Sequence, residues 1–147
     1  MNLEEITILL QSGNVIFKSS ASVESVLTKK IEKALTETFH YPAKVIVKDI
    51  ASIRRIIDRY PYDRRTSDQQ HYVVFLSDNL APELIRDATP DKKIEKIAEG
   101  EQVVYWTVTK GMTLQTDFAK LLTKAKYKEK NTVRNMNTLE KTLASTG

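Results

Sequence analysis

The period of the apolar residues changes repeatedly along this chain, and each change marks an element. Residues 5–11 and 15–17 are short β-prone runs separated by Ser12-Gly13-Asn14. Gly and Asn tolerate the positive φ of tight turns, so the spacing predicts a hairpin. From Val23 the apolar positions Val26/Leu27, Ile31, Ala34/Leu35 and Phe39 recur at helical spacing, behind a serine-rich stretch that can supply an N-cap. Val45 and Val47 alternate with lysines as in a half-buried strand. Ile50, Ile53, Ile56/Ile57 and Tyr60 then give a second helix one apolar stripe, and Pro61 stops it.

The second half alternates in the same way. Residues 71–76 are almost continuously apolar, which predicts a central strand covered on both faces. Pro82 suits the first turn of a short helix. Residues 93–98 and 102–109 flank Glu99-Gly100-Glu101 and read as a second hairpin. Phe118, Leu121/Leu122 and Ala125 mark a helix. Asn137-Thr138-Leu139-Glu140 resembles a capping box ahead of a last helix. Within the second half the order β-α-β-β-α is that of a split βαβ unit.

Composition narrows the class. A chain of 147 residues can bury a core without staples, and with no cysteine it has neither a disulfide framework nor a thiolate metal site. Its apolar runs are far shorter than the roughly 20 residues needed to span a bilayer, and residues 1–10 lack a secretory pattern, so no membrane partner and a cytoplasmic location are expected. The net charge of +4 is unevenly placed. Residues 120–147 carry seven Lys/Arg against Glu129 and Glu140, a balance of +5, leaving 16 against 17 in the rest. Such a segment attracts polyanions, although a solvated lysine-rich helix end has the same composition.

Two stretches carry a family resemblance: Gln11-Ser12-Gly13-Asn14-Val15-Ile16-Phe17 and Thr132-Val133-Arg134-Asn135-Met136-Asn137-Thr138. With Tyr60-Pro61-Tyr62 and the strand ending Val104-Tyr105-Trp106, the chain resembles the bacterial domain-of-unknown-function family 1697. The resemblance implies an α+β fold of two tandem ferredoxin-like (split βαβ) subdomains, and implies no settled activity. We place them at residues 1–66 and 67–147. Family members begin with a further strand and helix, whereas this chain starts at the hairpin, so the first subdomain is expected to be incomplete. Its uncovered edge would be met by a homodimer through the N-terminal half or by a longer chain. Met136 stands where the family signature has tryptophan.

Candidate sites follow from residue chemistry. Ser12, Gly13 and Asn14 suit an anion-contacting turn, though a plain hairpin turn explains them more simply. Arg134, Asn135, Asn137 and Thr138 form the most polar group, expected at a helix start where free N–H groups favour anions; capping and tethering of the C-terminal segment account for them equally well. His40 and His71 are the only histidines and lie in no paired ligand spacing, so neither a metal nor a cofactor is expected. Tyr105 and Trp106 must face opposite sides of their strand, which makes Tyr105 a packing residue rather than a base-stacking platform. The expected function is a non-enzymatic binding module that meets an anionic partner, nucleic acid among them, through Arg134, Asn135, Lys124, Lys126 and Lys128. The alternatives are a small-molecule protein or enzyme with a pocket between the subdomains, and an interaction scaffold.

Overall fold

The computed structural model describes residues 4–10, 13–19, 32–33, 46–65 and 68–144. The fold is mixed α/β. In chain order the elements are β1 (Glu4–Leu10), β2 (Gly13–Ser19), β3 (Ile46–Asp49), α1 (Ile50–Asp58), β4 (Gln69–Leu76), α2 (Ala81–Asp87), β5 (Glu95–Glu99), β6 (Val103–Thr109), α3 (Asp117–Leu122), β7 (Asn131–Asn135) and α4 (Met136–Ala144). The helix expected around residues 23–39 lies outside the described residues except for Glu32 and Lys33, which are helical.

The N-terminal sheet has the order β2-β1-β3, antiparallel throughout. Its register runs from Glu4↔Ser19 to Leu10↔Gly13, so Gly13 and Asn14 belong to β2 rather than to the turn. Pairing to the strand ends satisfies backbone groups that a longer turn would leave open. Ser12 lies outside the described residues. β3 pairs with β1, from Ile6↔Asp49 to Leu9↔Ile46.

The C-terminal sheet is four-stranded and antiparallel, in the order β5-β6-β4-β7. Its central strand alternates between two cores, as continuous apolarity requires. Val74 and Leu76 join Val104, Trp106, Val108, Leu84, Phe118, Leu122 and Tyr127 under α2 and α3. Val73 and Phe75 join Val103, Tyr105, Met136, Leu139, Ile53 and Ile56 on the opposite side. There α1 and α4 cover the sheet. A boundary at residue 66 therefore divides the chain but not the core, since the helix before it is buried against the strands after it.

Two elements depart from the sequence reading. The helix of Phe118 and Leu122 ends at Leu122, and Ala125 is exposed in the turns beyond it. Residues 131–135 form a strand where a helix start was expected. β7 is an edge strand, half-buried at every position, so it shows neither an apolar run nor a clear alternation.

The turn between β5 and β6 comprises residues 100–102, one position beyond the expected Glu99-Gly100-Glu101, with Gln102 at φ +59°. A Cβ on Gly100 would stand 2.7 Å from Tyr105 Cε2 and 2.8 Å from Val103 Cγ2, so the close approach of the strand requires glycine. Gln102 also reaches the N-terminal sheet: the buried Lys48 of β3 donates its Nζ hydrogen bond to Gln102 Oε1. The hairpin tip thus ties the two sheets together.

Candidate functional site

The turns that follow α3 carry the lysines, and the structure sorts them into two sets. Lys126 makes ion pairs of 3.0 Å with Glu83 and 3.0 Å with Asp87, both on α2, and Lys130 pairs with Asp78 at 3.3 Å. Asp87, followed by Glu83, raises the Lys126 pKa, while the Tyr127 hydroxyl and then Lys126 lower that of Asp87. These carboxylates offset part of the +5 balance. Lys120, Lys124 and Lys128 are exposed and make no ion pair with any described residue. The Lys128 N–H donates to the Lys124 carbonyl at 2.8 Å and the Lys120 N–H to the Thr116 carbonyl at 3.1 Å, so this stretch coils with helical spacing. A four-residue step keeps 120, 124 and 128 along one side and 126 and 130 along another. Buried Tyr127 anchors the coil in the core beneath α2 and α3.

The polar signature is divided between two elements. Arg134 lies in β7 opposite Val73, so it is directed to the side of the sheet covered by α1 and α4, away from the lysines. It is half-buried, donates from Nη1 to the Val133 carbonyl at 3.0 Å, and has a pKa lowered by burial. Asn135 ends the strand and caps α4, its Oδ1 accepting from the Asn137 N–H at 2.8 Å. The capping box expected from Asn137 and Glu140 does not form, because the strand runs up to Asn135 and the helix begins at Met136. Instead the Arg64 guanidinium takes both residues. Its Nη2 donates to Asn137 Oδ1 at 2.9 Å and its Nη1 pairs with Glu140. Thr138 is exposed, and its carbonyl accepts from Thr142 Oγ1 at 2.9 Å.

Arg64 belongs to the tail of α1, which crosses the second core as an aromatic and polar seam. Tyr60 packs edge to face on Tyr62, His71 and Tyr105, with centroids 5.7, 5.6 and 5.5 Å apart. Its hydroxyl donates to the Trp106 carbonyl at 2.9 Å and lies 3.1 Å from His71 Nδ1. Thr107 Oγ1 donates to the Gln70 carbonyl at 3.2 Å and is also 3.2 Å from His71 Nδ1. With both hydroxyl hydrogens directed at carbonyls, His71 Nδ1 is the donor to both oxygens and Nε2 is left as a bare acceptor. Burial, followed by the Arg64 charge, lowers the His71 pKa, and burial raises that of Tyr60.

Two atoms of this seam stand out. His71 Nε2 and Arg64 Nε are buried without a hydrogen-bond partner. An unmade bond at a buried group costs about 1–3 kcal/mol. One atom is an acceptor and the other a donor.

The sequence profile of the family described as "Protein of unknown function (DUF1697)" matches residues 1–105. The chain belongs to this family. The match takes in the hairpin, α1, the seam from Tyr60 to His71 and the strand reaching Tyr105; the Arg134–Thr138 signature lies beyond it. No curated protein matches the chain in sequence. Among solved structures it is similar to the conserved bacterial protein SP0830 from Streptococcus pneumoniae, with a TM-score of 0.76 and 14% identity over 98% of each chain. At that identity the likeness is one of fold. Among the described residues of this DUF1697 member, no helix is long and apolar enough to cross a membrane, and no group of three or more His, Asp or Glu side chains is placed to hold a metal ion.

The sequence reading passed over Glu95, Arg64 and His71. Glu95, 2% exposed, accepts from Trp106 Nε1 at 2.8 Å and from the Phe118 N–H at 3.2 Å, joining β5, β6 and α3. In sequence it sits in Lys92-Lys93-Ile94-Glu95-Lys96, which reads as a solvated run. The available signal was its place between Ile94 and Ile97 next to a strand that holds the chain's one tryptophan.

Proposed function

We propose that this DUF1697 member is a non-enzymatic binding module for a polyanion, nucleic acid in the first instance, and that Lys120, Lys124 and Lys128 make the contact. The sorting of the lysines carries the reading: 126 and 130 are held by carboxylates of the protein, while 120, 124 and 128 present three ammonium groups along one side of a coil anchored by Tyr127. Lys126, which the sequence placed in the interface, becomes a strut in this proposal. Arg134, Asn135, Asn137 and Thr138 become fasteners of β7 and α4.

The connectivity of the second sheet supports describing residues 67–147 as a ferredoxin-like unit. The order β2-β1-β3 gives no matching support to the first unit, because β3 lies beside β1, whereas a unit lacking only its first strand would leave β3 across a gap from β2. RNA-binding modules of this architecture stack bases on an open sheet face. Here α1 and α4 occupy that face, which favours contact on the helical side where the lysines lie.

The test is the salt dependence of binding to a labelled 20-base-pair duplex and to a single strand of the same length. Each phosphate neutralised contributes about 0.9 to the slope of log K against log salt for a duplex and about 0.7 for a single strand. Replacing Lys120, Lys124 and Lys128 together by Gln is expected to make the slope shallower by about 2–3. Lys126→Gln is expected to leave it unchanged. No binding at low salt, or an unchanged slope in the triple variant, refutes the proposal.

A further inference from the structure

His71 is a polar side chain more than nine-tenths buried, at 9% exposure, and its Nε2 has no partner. Nδ1 is fully engaged as a donor to Tyr60 and Thr107, so in the neutral ring Nε2 can only accept. Arg64 Nε is buried beside the same tyrosines and can only donate. Its charge is close enough to His71 to act on the ring's protonation. A buried donor and a buried acceptor left open together call for a bridging group.

We infer that this seam is a binding site for a neutral, hydroxyl-bearing small molecule, whose oxygen accepts from Arg64 Nε and whose hydrogen is donated to His71 Nε2. The hydroxyl is the group that satisfies both atoms at once. A carboxylate has no proton to give to Nε2. A phosphate would meet the Glu140 carboxylate, which already neutralises Arg64, and the Asp63 carboxylate beside it. The rings of Tyr60 and Tyr62 supply an apolar wall for the carbon skeleton, as in most small-molecule sites. Pro61, Asp63 and Arg65, the chain neighbours of Tyr62 and Arg64, are exposed, so a surface segment closes the seat and not a core element. The site is separate from the lysines, which lie beyond the other face of the sheet.

The experiment uses the full chain labelled with ¹⁵N and follows the imidazole nitrogens of His71 by long-range ¹H–¹⁵N correlation, with His40 as the internal control. The probes are glycerol, ribose and glucose as neutral hydroxyl compounds, and acetate and phosphate as anions. The expected result is a saturable shift of His71 Nε2 with at least one neutral probe, Nδ1 remaining the protonated nitrogen. Arg64→Lys keeps the positive charge but removes the Nε donor, and is expected to weaken that response by about tenfold. A melting temperature measured on each variant separates loss of binding from loss of fold. The inference is overturned by the absence of any response to the neutral probes up to high millimolar concentration, by an equal response in Arg64→Lys, by preferential binding of the anions, or by a water alone bridging the two atoms in every condition.

Discussion

Removal of a single oxygen tests whether α1 is joined to the C-terminal sheet as described. The last carbonyls of a helix have no partner within it. At the end of α1 the Arg55 carbonyl accepts from the Arg59 N–H at 3.1 Å and that of Ile57 from the Tyr60 N–H at 3.2 Å, while that of Ile56 accepts from the Tyr105 hydroxyl at 2.8 Å. Tyr105 on β6 thus caps a helix that lies 49 residues earlier in the chain. Its ring is 4% exposed and would keep its packing in Tyr105→Phe. What is lost is one hydrogen bond, leaving a buried carbonyl unsatisfied, for which the cost is about 1–3 kcal/mol. At about 2–4 °C per kcal/mol for a protein of this size, a loss near 2 kcal/mol lowers the melting temperature by roughly 4–8 °C. Denaturant unfolding measures the same loss as a lower midpoint at unchanged slope. Hydrogen exchange locates it: the amides of α1 should open earlier than those of β4. A change below about 0.5 kcal/mol, the range of unremarkable surface substitutions, would show that the Tyr105 hydroxyl does not hold the helix.

Two further outcomes are expected. His71 has a folded pKa below its ordinary value of 6.5, so the unfolded chain binds the proton more readily. Its contribution to stability is complete above that value and is lost as the pH falls toward the folded pKa. Urea midpoints measured between pH 7.5 and 5 should fall in acid, and His71→Gln should flatten this part of the profile; a wild-type curve that is flat across the window would contradict the burial of the ring. Asp63 and Asp87, whose pKa values are lowered from 3.8, act below this window. Gly100→Ala places its methyl carbon within 3 Å of Tyr105 and Val103 and should destabilise the fold by about 1–3 kcal/mol in thermal unfolding, with a neutral result indicating that the hairpin can shift to admit it.

The legible parts of the sequence were those in which one element buries one stripe. The α1 isoleucines and the continuous run of β4 each state their environment without help from the rest of the chain, and Ile53, Val73, Val74 and Phe75 are all fully buried. The placement of Tyr105 and Trp106 on opposite faces followed from the strand period alone, and they fall in separate cores. β7 was illegible because hydrogen bonds to β4, rather than side-chain burial, make it a strand. The reading of the lysines stopped at their number, since the carboxylates that separate 126 and 130 from 120, 124 and 128 arrive from α2 and from the turn before it. Arg64 reaches a partner 73 residues away, and no local pattern encodes that distance.

The position of β7 also bears on synthesis. β4 pairs on one side with β6 and on the other with β7, the last strand of the chain, and α4 follows directly behind it. During translation the edge of β4 that awaits β7 stays open until almost the whole chain has been made, and the second core lacks Met136 and Leu139 for the same interval. An unpaired apolar strand edge invites pairing with other chains. The nascent protein is therefore most exposed to misassembly just before its end is released, and a stop codon shortly upstream of residue 131 would yield a product that aggregates rather than a smaller working domain.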